Sequence, residues 1–216
     1  MTNRLLSAAC YERPTYLLLA LLSKIVSQVL GRGHAQLLGW RGGYIGRGSR
    51  VIGSISISVG EKAYINRYAW IEAVHAFRGQ AFTPSIRIGR GFSASDRMHI
   101  SCVNRIEIGA HCLFGSGVYI SDHNHGAYHG ERQSLPTQPP VDRDLMAVGS
   151  VRIGSNVWLG DNVIIVGPVT IGDGAIVGAN SVVKRDIPEN VMAAGAPLRF
   201  IRQFNQQSGQ WGKYED

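Results

Sequence analysis

Residues 153–183 read IGSNVWLGDNVIIVGPVTIGDGAIVGANSVV, and the spacing inside this stretch decides the fold. Ile153, Leu159, Ile165, Ile171, Val177 and Val183 stand six residues apart, and Ile153, Leu159, Ile171 and Val177 each precede a glycine. An α-helix would place residues at this interval on drifting faces, and the interval alone does not define a strand. Short strands joined by tight turns, three to a coil, satisfy it. Each step becomes one side of a triangular prism, with the aliphatic residue inside and small or polar residues at the corners. Stacked coils then share a continuous core. The reading is an all-β chain folded as a parallel β-helix.

Working outward, Ile108, Phe114 and Ile120 keep the same step, as do Ile88, Ala94 and Ile100, and Ile65 and Ile71 before them. His75–Ser85 interrupt the rhythm. The prism begins near Ile45-Gly46 and passes through Ile52-Gly53 and Val59-Gly60 in seven-residue steps, which predict imperfect first turns. After Ile120 the rhythm is lost for about thirty residues, a connection length that is uncommon and often functional. The expected organisation is a basic helical segment over 1–44, a prism over 45–187 carrying a loop insertion at 121–150, and a segment over 188–216. That last segment contains Pro188 and Pro197 and should end in a frayed or lightly docked tail from Gln203.

A chain of 216 residues, 44% of them hydrophobic, holds one substantial domain, and its 27 glycines without a collagen-like period suit turn-dense coils. The net charge of +7 is concentrated in residues 1–50, where Arg4, Arg13, Lys24, Arg32, Arg41, Arg47 and Arg50 face only Glu12. The rest of the chain carries 15 basic and 14 acidic side chains, so no basic surface covers the molecule and no nucleic-acid partner is expected. Cys10, Cys102 and Cys112 show no metal-like spacing. They fit reduced thiols in a cytoplasmic setting, each a small buried hydrophobe.

Residues 14–30, PTYLLLALLSKIVSQVL, read as a helix started by Pro14 and closed by Gly31. Leu18, Leu21, Leu22, Ile25 and Val29 form its apolar stripe. The segment is short for a membrane span and carries Lys24 in its middle, and no small-x-small cleavage site follows it. The stripe serves either of two purposes: capping the open end of the prism, or lying on an anionic membrane surface.

Chemistry concentrates at the start of the long loop, where His123, His125 and His129 fall close together beside Asp122. Histidine takes a proton near neutral pH, so a cluster beside a rigid scaffold makes a base site. The same residues are zinc ligands by type, and His-x-His is a real ligand pattern, so a metal reading stays open at this point, as does a solvated loop with incidental histidines. His99 and His111 sit inside the repeats and read as structural.

Residues 151–202 and the loop opening Ser121-Asp122-His123-Asn124-His125 resemble the hexapeptide-repeat acyltransferases. The resemblance is to the galactoside/maltose acetyltransferase branch, and closer still to bacterial O-acetyltransferases of lipopolysaccharide and capsule synthesis. It rests on the His loop followed by NVWLG, on GANSVV with Lys184, Arg185 and then DIP, and on AAG-x-P ending at Pro197. It spans Ile88 to Phe204 and is weak before Ile45. The resemblance implies left-handed coils, a homotrimer with active sites between subunits, and acetyl-CoA as cosubstrate with no metal required. It further implies direct transfer, with a histidine deprotonating an acceptor hydroxyl. Counting from Ile120 puts the family histidine on His125; a one-step bulge would exchange it for His123. Asp122 then orients an imidazole, meets the acceptor or caps the turn.

The family oxyanion donor is a backbone amide that falls on Asp161, next to Gly160, with Trp158 lining the cleft. Ala179 takes the position that meets the pantetheine arm. Lys184, Arg185, Arg199 and Arg202, with Pro197 between them, match positions facing the coenzyme's phosphates and adenine end. The family's sugar-holding asparagine is replaced by Ser95, with Asp96 beside it to take over the hydrogen bonding, so the acceptor itself does not carry over. The expectation is a cytoplasmic O-acetyltransferase of surface-polysaccharide precursors, peripheral at the inner face of the cytoplasmic membrane, with a sugar or glycan acceptor. An antibiotic or small-sugar acetyltransferase shares this machinery. A zinc carbonic anhydrase-like enzyme uses the same prism but wants a His-x4-His pair that the loop lacks. A non-enzymatic β-solenoid scaffold shares the fold alone.

Overall fold

The computed structural model describes residues 14–215; Arg4, Cys10 and Arg13 lie outside them, as does the side chain of Leu18. From Tyr44 onward the chain winds through three parallel sheets, adding one short strand to each per coil. The first face collects Tyr44–Ile45, Tyr64–Ile65, Ser93–Ala94, Leu113–Phe114, Trp158–Leu159, Ile176–Val177 and Val191–Ala194. The second collects Arg50–Ile52, Trp70–Ala73, His99–Cys102, Tyr119–Ser121, Ile164–Val166 and Val182–Val183, and the third runs from Ile57–Val59 to Val169–Ile171.

Equivalent residues stack along the prism axis. Ile65, Ala94, Phe114, Leu159 and Val177 pair in register from coil to coil, and all are buried. The six aliphatic residues that set the rhythm of 153–183 are no more than 3% exposed. Burying each such side chain contributes roughly 1.5–3 kcal/mol before the cost of ordering the chain, which is why the pattern repeats so strictly.

The early coils depart from the seven-residue reading. Val51 pairs with Ile71 and turns toward the core, whereas Ile52 is 44% exposed. Gly53, at φ 70°, starts a 3-10 turn over Ser54–Ser56 that leads to the buried Ile57. The inward positions are therefore 45, 51 and 57, the same step as elsewhere. What looked like a longer repeat was the glycine of a turn.

Two larger interruptions leave the prism at one corner, between the second and third faces. Residues 76–81 form a small hairpin, Ala76–Phe77 against Gln80–Ala81, turning at Arg78 and Gly79, both with positive φ. Such a turn matches the twist of the strands it joins. The second interruption follows Ser121, where His123–His125 pair antiparallel with Leu145–Ala147 before the chain re-enters at Ser150. Neither disturbs the stack: Tyr64 still pairs with Ser93, and Leu113 with Trp158.

The N-terminal helix, α1 (Pro14–Leu37), does not end at Gly31. A Cβ there would collide with the Tyr44 ring and the Ile45 carbonyl, so the glycine permits a close approach; the chain breaks instead at Gly39, at φ 76°. The face of α1 turned to the prism is small and polar. Gly31 and Ala35 are buried, and Ser27 Oγ lies 3.0 Å from the Tyr44 hydroxyl. Ala35 and Trp40 join the core beneath the first coil, so the helix end does cap the prism. The leucine-rich stripe does not: Leu21, Leu22, Ile25, Val26 and Val29 are exposed. No described helix is long and apolar enough to cross a membrane.

At the other end, Arg199–Asn205 and Gln210–Lys213 extend the first face as an antiparallel hairpin. The stretch from Gln203, expected to be frayed or lightly docked, is docked as part of this hairpin, with Phe204 packed edge-on against Trp211.

Candidate active site

The long loop is anchored by Asp122. One coil earlier, at the same corner, Val103, Asn104 and Arg105 present consecutive backbone N–H groups, and these donate to the Asp122 carboxylate at 2.9, 2.8 and 2.7 Å. Such a concave run of amides is an anion site in its own right. The Cys102 thiol donates at 3.2 Å and His123 Nδ1 lies at 3.1 Å. Burial by itself would raise the Asp122 pKa, but these hydrogen bonds outweigh it and hold the carboxyl below the usual carboxylate range. Asp122 is sealed from solvent, so of the three roles open to it the carboxylate does not meet an acceptor; it fixes the loop and orients an imidazole.

His123 is the imidazole it orients. Its side chain is 9% exposed, with Ser121 Oγ 3.3 Å from the same Nδ1. His99 stacks on Trp70 at 4.5 Å and meets Tyr119 edge-on. Burial, then the charge of His123, lowers the His99 pKa. His125, two residues further along the same strand as His123, is exposed, and its ring stands perpendicular to that of Phe77 at 5.5 Å between centroids. Its carbonyl accepts the Tyr128 hydroxyl at 2.6 Å, and Arg143 donates to that hydroxyl and to the Gln138 carbonyl, closing the loop on itself. His129 is exposed. Among the described residues no three His, Cys, Asp or Glu side chains converge as a metal-ligand set.

The amide of Asp161 sits at a different corner, between the first and second faces. Side chains two residues past the inward position of the first face cap the corner below: Asp96 Oδ1 accepts the Arg67 amide at 3.1 Å, and Asp161 Oδ1 the Ser116 amide at 2.7 Å. The residue in that place above Asp161 is Ala179, which has no acceptor to offer, and the Asp161 N–H finds no partner among the described residues. Gly160 allows this approach, since a Cβ there would strike the Ala179 backbone. The arrangement leaves the Asp161 N–H without a partner at a rigid corner, as it does, among the described residues, the N–H of Asp96, which Ser116 above it does not cap. Trp158 is 51% exposed on the adjacent face, in line with Leu113 and Ile176.

Lys184, Arg185 and Pro197 come together, lining with Val182, Ala196 and Leu198 a cavity of about 590 Å³. Arg185 stacks over Phe200 at 4.3 Å and donates to the Leu198 carbonyl at 3.3 Å. Arg199 is exposed on the neighbouring strand, and Arg202 lies further along it, bonded to the Trp211 carbonyl. Ser95 is half-buried, and the Asp96 carboxylate is shared with the Arg67 guanidinium at 3.2 Å. Phe77, Gln80, Tyr128 and Arg143 were not anticipated. The only signal for the first two was the break in rhythm at His75–Ser85.

Residues 150–185 match the family model for the bacterial transferase hexapeptide (six repeats). The chain is 40% identical over 148 residues to the "Putative lipopolysaccharide biosynthesis O-acetyl transferase WbbJ" of Escherichia coli (strain K12), covering 62% of this chain and 75% of that one. It is 35% identical over 150 residues to the galactoside O-acetyltransferase of the same organism, covering 67% and 66%. A solved galactoside acetyltransferase in complex with coenzyme A superposes with a TM-score of 0.54 at 30% identity, over 74% of this chain and 72% of that one. With its stacked six-residue steps, its histidine loop and these relatives, the chain belongs to the hexapeptide-repeat acetyltransferase family.

Proposed function

We propose that this protein transfers an acetyl group from acetyl-CoA to a sugar hydroxyl of a surface-polysaccharide precursor, with His125 as the general base. The observation that carries the reading is the pairing of an exposed imidazole on an anchored loop with an uncapped amide at Asp161. The cavity at Lys184 and Arg185 has the chemistry for the coenzyme: two cations for phosphates and the apolar Pro197 and Leu198 for an adenine or pantetheine face. Acetyl-CoA supplies the thioester. His125 takes the proton of the acceptor hydroxyl as its oxygen bonds to the carbonyl carbon, and the Asp161 N–H donates to the carbonyl oxygen while negative charge builds there. The carbon–sulfur bond breaks, and the imidazolium returns its proton to the departing thiolate. His123 remains the alternative base, since Asp122 on its Nδ1 fixes the tautomer and leaves Nε2 to take a proton. What favours His125 is its register from Ile120 and its exposed ring, against a His123 ring that is nearly buried.

The loop and the Asp161 amide leave the prism at different corners, so one chain does not bring them together. A homotrimer of left-handed prisms, in which a neighbour supplies the second wall, completes the site. The exposed stripe of α1 supports a peripheral membrane contact at the cytoplasmic face: Glu12 is the sole acid among residues 1–60, and Lys24 and Arg32 flank the stripe. Thiol release from acetyl-CoA with a panel of nucleotide sugars and oligosaccharides tests the activity. His125→Ala should lower kcat by about 10²–10⁴-fold, and His123→Ala far less. Loss of turnover only in the His123 variant would move the base to His123. Absence of both turnover and coenzyme A binding would sink the transferase reading.

A further inference from the structure

We infer that the Ala76–Ala81 hairpin is a positioning element for His125, with Phe77 holding its imidazole and Gln80 holding the strand opposite. The inference rests on His125 being the base. Its starting point is a contrast between the two histidines. His123 has a carboxylate to orient it, whereas neither ring nitrogen of His125 has a hydrogen-bond partner among the described residues. What His125 has is a wall. The Phe77 ring stands 82° from the imidazole plane, an edge-to-face pairing that adds about 0.5–1.5 kcal/mol to simple burial. It restricts rotation of the ring while leaving both nitrogens free for an acceptor hydroxyl.

The backbone is held from the same side. Leu145 lies directly across from His125 in the loop's strand pair. The Gln80 side chain reaches Leu145 as an added strand would: Oε1 accepts the Leu145 N–H at 2.8 Å, and Nε2 donates to its carbonyl at 3.2 Å. Leu145 is buried, so these bonds are shielded from water. A third contact, Arg78 to Asp142 at 3.0 Å, is half-exposed at both ends and adds little. An insertion two coils below the loop therefore grips the ring, the partner strand and the rim of the loop together. Gln80 and Phe77 touch no substrate in this account. They set the angle from which His125 approaches it, and small errors in that angle are costly to rate.

The test compares wild type with Phe77→Ala, Phe77→Tyr, Gln80→Ala and His125→Ala in the thiol-release assay. Phe77→Ala and Gln80→Ala should each lower kcat by about tenfold, with KM for acetyl-CoA unchanged, and Phe77→Tyr should restore wild-type kcat. Wild-type kcat in Phe77→Ala, beside an inactive His125→Ala, overturns the inference. A raised KM for acetyl-CoA with kcat intact also overturns it, because the ring would then belong to the coenzyme site. Full activity in His125→Ala removes the base reading on which the inference stands. If Phe77→Ala fails to fold by its thermal midpoint, Phe77→Leu decides by the same kcat criterion. Independently of any acceptor, the His125 ring-proton resonances should lose an aromatic ring-current shift in Phe77→Leu; unmoved resonances overturn the contact.

Discussion

A carboxylate shut off from water persists at position 122 because five donors converge on it, three of them backbone amides that only a proline would remove. Deleting the carboxylate strands those amides. Asp122→Ala should cost about 3 kcal/mol or more, read as a lower denaturation midpoint with unchanged slope. The pH dependence has a definite sign. The folded-state pKa is depressed, so this stabilisation is complete above the unfolded carboxyl's pKa and is lost as pH falls through the folded value. Wild type should lose stability in that acid window, and Asp122→Ala should lose less. Ala179 works in the opposite way, through what it lacks. Ala179→Asp would place an acceptor over the Asp161 amide, as Asp161 itself does over Ser116. Turnover should drop by about 10²–10³-fold, the cost of one lost oxyanion donor, with the unfolding midpoint preserved. Both positions are visible in the sequence as residue types in the right motif. Their roles are not, because the amides on Asp122 come from 17–19 residues upstream and the rung above Asp161 appears only once the coils are stacked.

At the scale of the element, α1 carries a hydrophobic pattern whose two uses, capping the prism or lying on a membrane surface, the sequence leaves open. The stripe at Leu21, Leu22, Ile25 and Val29 is a single continuous face, as the spacing predicts, but it points away from the prism. Gly31 and Ala35 make the contact instead, through close approach of backbone to backbone, and small residues leave no trace in a hydropathy profile. Residues 76–81 were legible only as a break in rhythm, since a two-residue strand on each side of Arg78-Gly79 is too short to carry a period. The exposed face leads to a measurement. Ile25→Asp with Val29→Asp should abolish co-sedimentation with vesicles containing phosphatidylserine while leaving the thermal midpoint and turnover of soluble acceptors intact. Unchanged sedimentation would end the membrane proposal.

The whole molecule is a triangle extended along its axis, and its geometry sets His125 and Asp161 at different corners. Subunit mixing tests the shared site directly. If each site takes its histidine from one copy and its amide from another, co-refolded His125→Ala and Ala179→Asp chains should recover about a quarter of wild-type activity by random assembly. A site contained in one chain would recover none. The period at 153–183 was enough to establish the prism because every coil repeats one packing problem, whereas the loop and hairpin solve theirs once. Both of those segments, together with the 3-10 turn at Ser54–Ser56, emerge between the second and third faces, while the rungs on either side keep their pairing. That corner thus behaves as an expansion port. Segments from a three-residue turn to a folded loop occupy three of its levels, with a tight turn at Val103-Asn104 between the hairpin and the loop, and none of them resets the scaffold. The Gly167-Pro168 bend at the same corner lies one coil above the loop and directly beneath Lys184-Arg185, so a recognition segment grafted there would stand between the histidine loop and the cavity proposed for the coenzyme.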